Sequence, residues 1–345
     1  MKTAVTEMFG CEYPVWLSGM TGISTPELVA AVNNAGGLGI LATADLTFDQ
    51  TREAIKKVRK LTDRPFGANV PLFIPGCAEK AAILLEEKVD VINYTLGSGE
   101  WLIEAAHRYG GRAVATVTTE KHALSAQKYG ADALIITGHE AAAHGGLITS
   151  MVLIPSIVEV VDIPVIAAGG FADGRGLAAA LALGADGVAM GTRFMNTRES
   201  PAHDNMKQMS NQKKAHETIY TDRIDGLPCR AVDSIGARQM IKDRLFLFRA
   251  LANSRHAAAA YGFPWIKALA GILLSGYTRS KQLARMSNAF KSVMLAIEEG
   301  DREKGVFLMG QVTGIIHDTP SVKQVMEAIV KEAVAAHKKA AEKLL

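Results

Sequence analysis

The chain has 345 residues, 48% of them apolar, 21% charged and 6% aromatic, with a formal net charge of +3. Such a composition builds a large globular core, and the charge is too mild to imply a nucleic-acid partner. Three scattered cysteines (Cys11, Cys77 and Cys229) form no C-x-x-C pair, no basic region precedes an apolar run at the N-terminus, and the longest apolar stretch, 268–277, is too short to span a bilayer; the expectation is a cytoplasmic protein without disulfides or membrane insertion.

From residue 14 to 200 short β-branched runs alternate with Ala-rich periodic segments. The expected strands are PVWLSG (14–19), GLGILAT (37–43), PFGANV (65–70), DVINYTL (90–96), RAVATVT (112–118), DALIITG (132–138), PVIAAGG (164–170) and DGVAMGT (186–192). Helices are expected between them, as at 25–36, 100–110, 120–130 and 174–184, several opening on Thr or Asp and closing on Gly. Short helical crossovers imply parallel strands, and eight such units favour a closed (β/α)8 TIM barrel over an open doubly wound sheet.

The active site of such a barrel lies at the C-terminal ends of its strands. Those ends carry SGMTG (18–22), Asn69, Thr95–Gly97, Thr116, Thr118, HEAAAHGG (139–146), AGGFADG (168–174) and GTRF (191–194). A metal site does not fit HEAAAHGG, because histidines five residues apart diverge by roughly 140° on a helix, whereas H-E-x-x-H places them four apart. The glycines closing strands 7 and 8 (Gly169, Gly170, Gly191) admit two readings, tight turns or a backbone cradle for phosphate. Their pairing on the two strands that form the usual barrel phosphate site favours the second, with Thr192 adding a hydroxyl.

These motifs, with MGQVTGIIHD (309–318), resemble the nitronate monooxygenase (2-nitropropane dioxygenase) family of FMN-dependent TIM-barrel oxidoreductases. That group also holds enoyl-acyl-carrier-protein reductases and NAD(P)H:quinone reductases. The resemblance implies FMN, with Gly19, Met20 and Thr21 beneath the ring and Asn69 near it. It further implies Gly169, Gly170, Gly191 and Thr192 on the phosphate, Gln311 arriving from the C-terminal segment, and His144 as the catalytic histidine. The chain departs from the family at Leu17, Thr116 and Ala143, where many members carry Gln, some Lys and many Gly. His139 is expected in solvent or behind the site. Glu140 either orients His144 or caps backbone amides.

Past 203 the barrel rhythm stops. Residues 204–305 read as a helical lid inserted into a barrel formed by 1–203 and 306–345, with an amphipathic terminal helix. From Arg238 to Lys291 ten basic residues face one acid, Asp243. That is a solvated face, a site for an anionic, partly apolar partner such as an acyl-CoA or acyl carrier protein, or a membrane-surface contact. The segment TDRIDGLPCRAV (221–232) resembles a subgroup of the same family that acts on CoA thioesters in steroid-ring breakdown; Cys229 within it is read as a structural or surface thiol.

The activity expected first is oxidation of alkyl nitronates with O2 to carbonyl compounds and nitrite. The alternative is an NAD(P)H-linked enoyl-CoA or enoyl-ACP reductase, a CoA-thioester dehydrogenase or a quinone reductase. In either, the imidazole of His144 is placed to hold an anion or move a proton. The barrel helices are compatible with a homodimer.

Overall fold

The computed structural model describes residues 1–74, 76–142, 144–243 and 276–344, with Phe246, Arg249–Ala250, Asn253–Arg255, Ala258 and 264–266 between them. Helix Ala4–Phe9 (α1) precedes the barrel, whose strands are Val15–Leu17 (β1), Leu38–Ala42 (β2), Gly67–Pro71 (β3), Val91–Thr95 (β4), Arg112–Val117 (β5), Ala133–Thr137 (β6), Val165–Ala168 (β7) and Gly187–Met190 (β8). Between them run Pro26–Asn34 (α2), Phe48–Leu61 (α3), Cys77–Glu86 (α4), Glu100–His107 (α5), Glu120–Lys128 (α6), Ser150–Val158 (α7) and Gly174–Ala182 (α8). All eight strands are parallel, in sequential order, and β8 pairs back to β1 through Trp16↔Ala189, so the barrel is closed as expected.

The two-residue alternation of each strand sorts its side chains into two cores. Trp16, Ile40, Val91, Val114, Ile135 and Ile166 fill the barrel interior. Their neighbours Leu17, Leu41, Ile92, Leu134 and Ala167 meet the helices. The N-terminal end is plugged by α1, where Phe9 meets Trp16 edge to face at 4.8 Å, a geometry that adds to apolar burial. α1 itself opens on a capping box in which Thr3 and Thr6 satisfy each other's backbone amides.

After β8 come Thr192–Met195 (α9) and Asp204–Gln212 (α10), then an antiparallel hairpin of Thr218–Thr221 (β9) and Cys229–Val232 (β10). Ile235–Lys242 (α11) and Tyr277–Met294 (α12) follow, the latter running into a π-helical turn over Leu295–Glu299. The hairpin is a feature that the helical reading of 204–305 did not contain. Arg244, Lys267 and most of the patches LFLFRAL and FPWIKALAGILL lie outside the described residues, as does the side chain of Arg279. A 3-10 turn, Gln311–Ile315, leads back to the terminal helix Val322–Leu344 (α13).

α13 packs on the barrel. It buries Val325, Met326 and Ile329, and a side chain on Gly174 would overlap the backbone of Ile329 and Ala333. Arg193, buried in α9, anchors the returning segment by donating to Asp318 Oδ1 at 2.7 Å and to Asp318 O at 3.0 Å. No described helix is long and apolar enough to cross a membrane.

Candidate functional site

Three consecutive strands turn a polar residue inward near their C-terminal ends. Asn69 (β3) donates through Nδ2 to Asn93 Oδ1 at 2.7 Å, and Asn93 (β4) donates to Thr116 Oγ1 (β5) at 2.9 Å and to Val114 O at 3.0 Å. Thr43 Oγ1 donates to Asn69 O at 2.7 Å, pinning the strand as well as the side chain. This chain of amides forms a polar floor under the mouth, and buried polar groups persist only when partnered in this way. Gly19 lies against it: an added Cβ would sit 2.7 Å from Asn69 Cβ, so Asn69 itself requires a glycine there. Met20 and Thr21 follow in a turn closed by Ser24 N donating to Met20 O at 2.8 Å. Leu17, by contrast, is fully buried among the helix-facing residues and turned from the mouth.

The ends of β7 and β8 adjoin that turn. A Cβ on Gly191 would meet Met20 Sδ at 3.2 Å, so the β8 end and the β1 turn touch. Gly169 and Gly170 both have φ of +88°, the left-handed region that side chains disfavour. At Gly170 conformation alone demands the glycine, since an added Cβ would make only ordinary contact with Glu140 at 3.6 Å. Thr192 Oγ1 accepts from Gly310 N at 3.1 Å, which leaves its hydroxyl proton to be donated. Gln311 N donates to Glu140 O at 2.9 Å, bringing Gln311 beside the same loop. Left-handed glycines, the first-turn amides of α9 and a free hydroxyl proton make a donor-rich surface of the kind that fits a phosphate.

The loop after β6 carries His139, Glu140 and His144, each held differently. Glu140 is a helix cap: its carboxylate accepts from Ser150 N at 3.1 and 3.0 Å at the start of α7. Ser150 Oγ in turn reaches Gly169 O at 2.6 Å, so the β6 and β7 loops are tied together. His139 lies behind the loop, with Nδ1 3.0 Å from Gly146 O and its ring 4.5 Å from that of Tyr220. His144 points the other way, its Nε2 2.7 Å from Asp225 Oδ2. Ala143 lies outside the described residues.

Asp225 comes from the β9–β10 hairpin, and the hairpin grips the loop at two more points. Tyr220 OH donates to Gly145 O at 2.8 Å, while Arg230 donates through Nε and Nη2 to His139 O at 3.1 and 2.9 Å. Arg230 is buried over the Tyr220 ring; burial lowers its pKa from the ordinary value, opposed by the nearby Glu140 carboxylate. Asp225 Oδ1 accepts from Leu227 N at 3.0 Å, so both of its carboxylate oxygens are engaged. An ionised carboxylate only accepts, so in a neutral imidazole this contact places the proton on Nε2 and leaves the lone pair on Nδ1. Cys229 is a buried structural thiol whose pKa burial pushes up, with Asp225 and Asp222 adding to the rise.

The structure thus gathers Gly19, Met20, Thr21, Asn69, Gly169, Gly170, Gly191, Thr192, Gln311 and His144 at the C-terminal end of the barrel, leaves Leu17 outside that set, and adds Asn93, Tyr220, Asp225 and Arg230. The available signal was weak: the two short β-branched runs are joined by seven residues, 222–228, in which Asp225–Gly226 and Pro228 are turn formers, and Gly226 has a φ of +91°.

A family model described as nitronate monooxygenase matches residues 2–79 and 74–332. The chain is 36% identical over 339 residues to a (3aS,4S,5R,7aS)-5-hydroxy-7a-methyl-1-oxo-octahydro-1H-indene-4-carboxyl-CoA dehydrogenase of Rhodococcus jostii, covering 97% of this chain and 96% of that protein. It is 34% identical over 281 residues to a Staphylococcus saprophyticus protein described as "Probable nitronate monooxygenase", covering 68% of this chain and 79% of the other. The solved structure of FabK from Thermotoga maritima aligns with a TM-score of 0.81 at 34% identity, covering 100% of this chain and 98% of that one.

Proposed function

The chain belongs to the nitronate monooxygenase family and is a flavin-dependent oxidoreductase, and from that premise we propose that it dehydrogenates a CoA thioester using FMN. One observation carries this reading: the His144–Asp225 pair, 2.7 Å apart, joins the barrel mouth to the hairpin 218–232. The likeness to CoA dehydrogenases runs through that hairpin and 97% of the chain, while the likeness to the staphylococcal protein covers 68%. The two activities expected from the sequence therefore change order.

In this reading Gly169, Gly170, Gly191 and Thr192 would hold the phosphate of FMN, and Gly19, Met20, Thr21, Asn69 and Gln311 would hold its ring. The flavin, when bound, supplies a two-electron acceptor for hydride. The chain supplies the proton acceptor: Asp225 fixes the Nε2–H tautomer, so the lone pair of Nδ1 removes the substrate proton, and the carboxylate stabilises the imidazolium that results. Residues 204–305 act as a lid on the barrel of 1–203 and 306–345, and Tyr220 and Arg230 hold the catalytic loop to it.

Nitronate oxidation is the second reading, favoured by the family model that matches both halves of the chain. There His144 holds the anionic nitro group, and O2 completes the reaction.

The test follows the visible flavin absorbance of the purified protein under anaerobic conditions. Rapid bleaching by a hydroxyacyl- or acyl-CoA thioester, with none by propyl nitronate, is expected. Bleaching by nitronate alone overturns the proposal in favour of the second reading. His144→Ala is expected to retain the flavin and to lose about 100-fold or more of the bleaching rate; an unchanged rate removes the imidazole from the chemistry.

A further inference from the structure

The lid contains a cavity of about 300 Å3 that the chemistry above does not use. It lies between the hairpin turn, α11, α12 and Lys304, at the low end of the size range for ligand pockets. That volume has room for one end of a large ligand, not for all of it.

The lining has two characters. Arg223, Arg285, Lys291 and Lys304 bring four cations to it. Arg249 also lines it, but forms an ion pair with Asp243 at 3.4 Å. Asp243 is the one acid among the described lining residues. Arg285 donates to Asp222 O at 3.1 Å and stacks on Phe246 at 5.0 Å, a geometry that aims a guanidinium while spending none of its charge on a carboxylate. Phe246, Met240, Ile241 and Leu295 provide an apolar side. Several cations with no ion pair to a carboxylate among the described residues, beside an aromatic and aliphatic wall, suit a group that is polyanionic at one end and a flat ring at the other.

The cavity and the His144 site share a stretch of chain. Arg223 and Ile224 line the cavity, and the next residue, Asp225, holds the imidazole. The α-carbons of Arg223 and Asp225 are therefore at most about 7.6 Å apart. A ligand seated in the cavity can reach the catalytic histidine along its own flexible arm.

We propose that this cavity binds the phosphorylated adenosine end of the CoA thioester, with Arg223, Arg285, Lys291 and Lys304 on its phosphates and Phe246 beside the adenine. The inference rests on the CoA-thioester reading. The group it recognises, adenosine diphosphate, is shared by CoA and by the nicotinamide dinucleotides, and the assignment here is to CoA.

The experiment is calorimetric titration of the flavin-loaded full chain with CoA and, separately, with NADPH. It compares the parent with Lys291→Glu/Lys304→Glu and with the neutral Lys291→Met/Lys304→Met. Both lysines are exposed, so these substitutions leave the core intact. The expected result is a Kd for CoA raised about tenfold or more by the glutamates and less by the methionines, with circular dichroism and flavin absorbance unchanged. A CoA affinity equal in all three proteins overturns the cavity assignment and leaves the CoA reading standing. No CoA binding by the parent overturns both. Loss of NADPH binding in the variants, with CoA binding preserved, overturns the assignment to CoA and gives the cavity to a dinucleotide. In the neutral variant the acids are absent, so a raised Kd there too shows that lost attraction, not introduced repulsion, is responsible.

Discussion

Replacing Asp225 with asparagine tests the dyad at the point where it is most specific. The carboxylate lies 2.7 Å from Nε2 of an imidazole that is 32% exposed, while Asp225 itself is 16% exposed and anchored by Leu227 N. A hydrogen bond to a charged acceptor in such a half-sheltered setting contributes about 1.5–3 kcal/mol. Asparagine keeps the shape but can turn its amide toward Nε2 and donate, which favours the tautomer with hydrogen on Nδ1 and removes the lone pair needed for proton abstraction. If the whole interaction is realised in the transition state, kcat falls by about 10- to 150-fold. KM for the thioester should move by less than about threefold, because Asp225 holds the histidine and not the ligand. The assay is steady-state turnover across pH with flavin absorbance and thermal melting measured on the same samples. Asp225→Glu, which preserves the acceptor, should recover part of the rate. A kcat within about twofold of the parent refutes the argument, as does a rate loss that merely follows loss of flavin or of folded protein.

Two further predictions concern the scaffold. Lys80 is buried in α4 with its ammonium donating to Thr43 O and Ala44 O at 2.8 Å each, and burial pulls its pKa down to about 8 from 10.5, with Asp45 opposing. Between those values the unfolded chain holds a proton that the folded chain has released, so stability rises with pH through the window, by about 3 kcal/mol in total. Urea unfolding below pH 8 and near pH 10.5 should show the parent gaining on Lys80→Met by that amount, and parallel pH profiles would contradict it. Gly174→Ala places a methyl group against the backbone of Ile329 and Ala333 where α8 meets α13; overpacking of this kind should cost about 1–3 kcal/mol, read as a lower urea midpoint.

The barrel was legible because its signals are local and repeated. Each strand announces itself by a β-branched run, each helix by a cap and a glycine stop, and the eight-fold count leaves closure as the economical arrangement. The phosphate-type glycines were legible for the same reason: Gly169 and Gly170 follow β7 directly, and their φ of +88° is what a Gly-Gly at a strand end suggests. Which face a residue takes is a matter of the strand's alternation rather than of its distance along the chain. Leu17 stands one residue before the mouth in the chain, yet the alternation of β1 turns it into the helix layer while Trp16 faces the interior. The glycine at 19 was expected beneath a flavin ring, and the packed Asn69 side chain supplies a reason of its own for a glycine there.

The His144–Asp225 pair was half hidden because its partners are 81 residues apart and belong to different parts of the chain. No periodicity links a loop after β6 to the turn between β9 and β10, and only the folded contact reveals that Asp225 is the hydrogen-bond partner of His144. That arrangement has a mechanical consequence. Tyr220, Asp225 and Arg230 reach the 139–146 loop from one hairpin at Gly145, His144 and His139, and Gly226 in the same hairpin packs on Gln282 of α12. The imidazole therefore has its hydrogen-bond partner on the hairpin and not on the barrel on which it is carried. A barrel whose hairpin is displaced keeps its glycine cradle and polar floor but loses that acceptor. Under the proposed dehydrogenation, proton transfer would then require hairpin and barrel to be docked, and a ligand that bridges the two would strengthen the arrangement on which its own reaction depends.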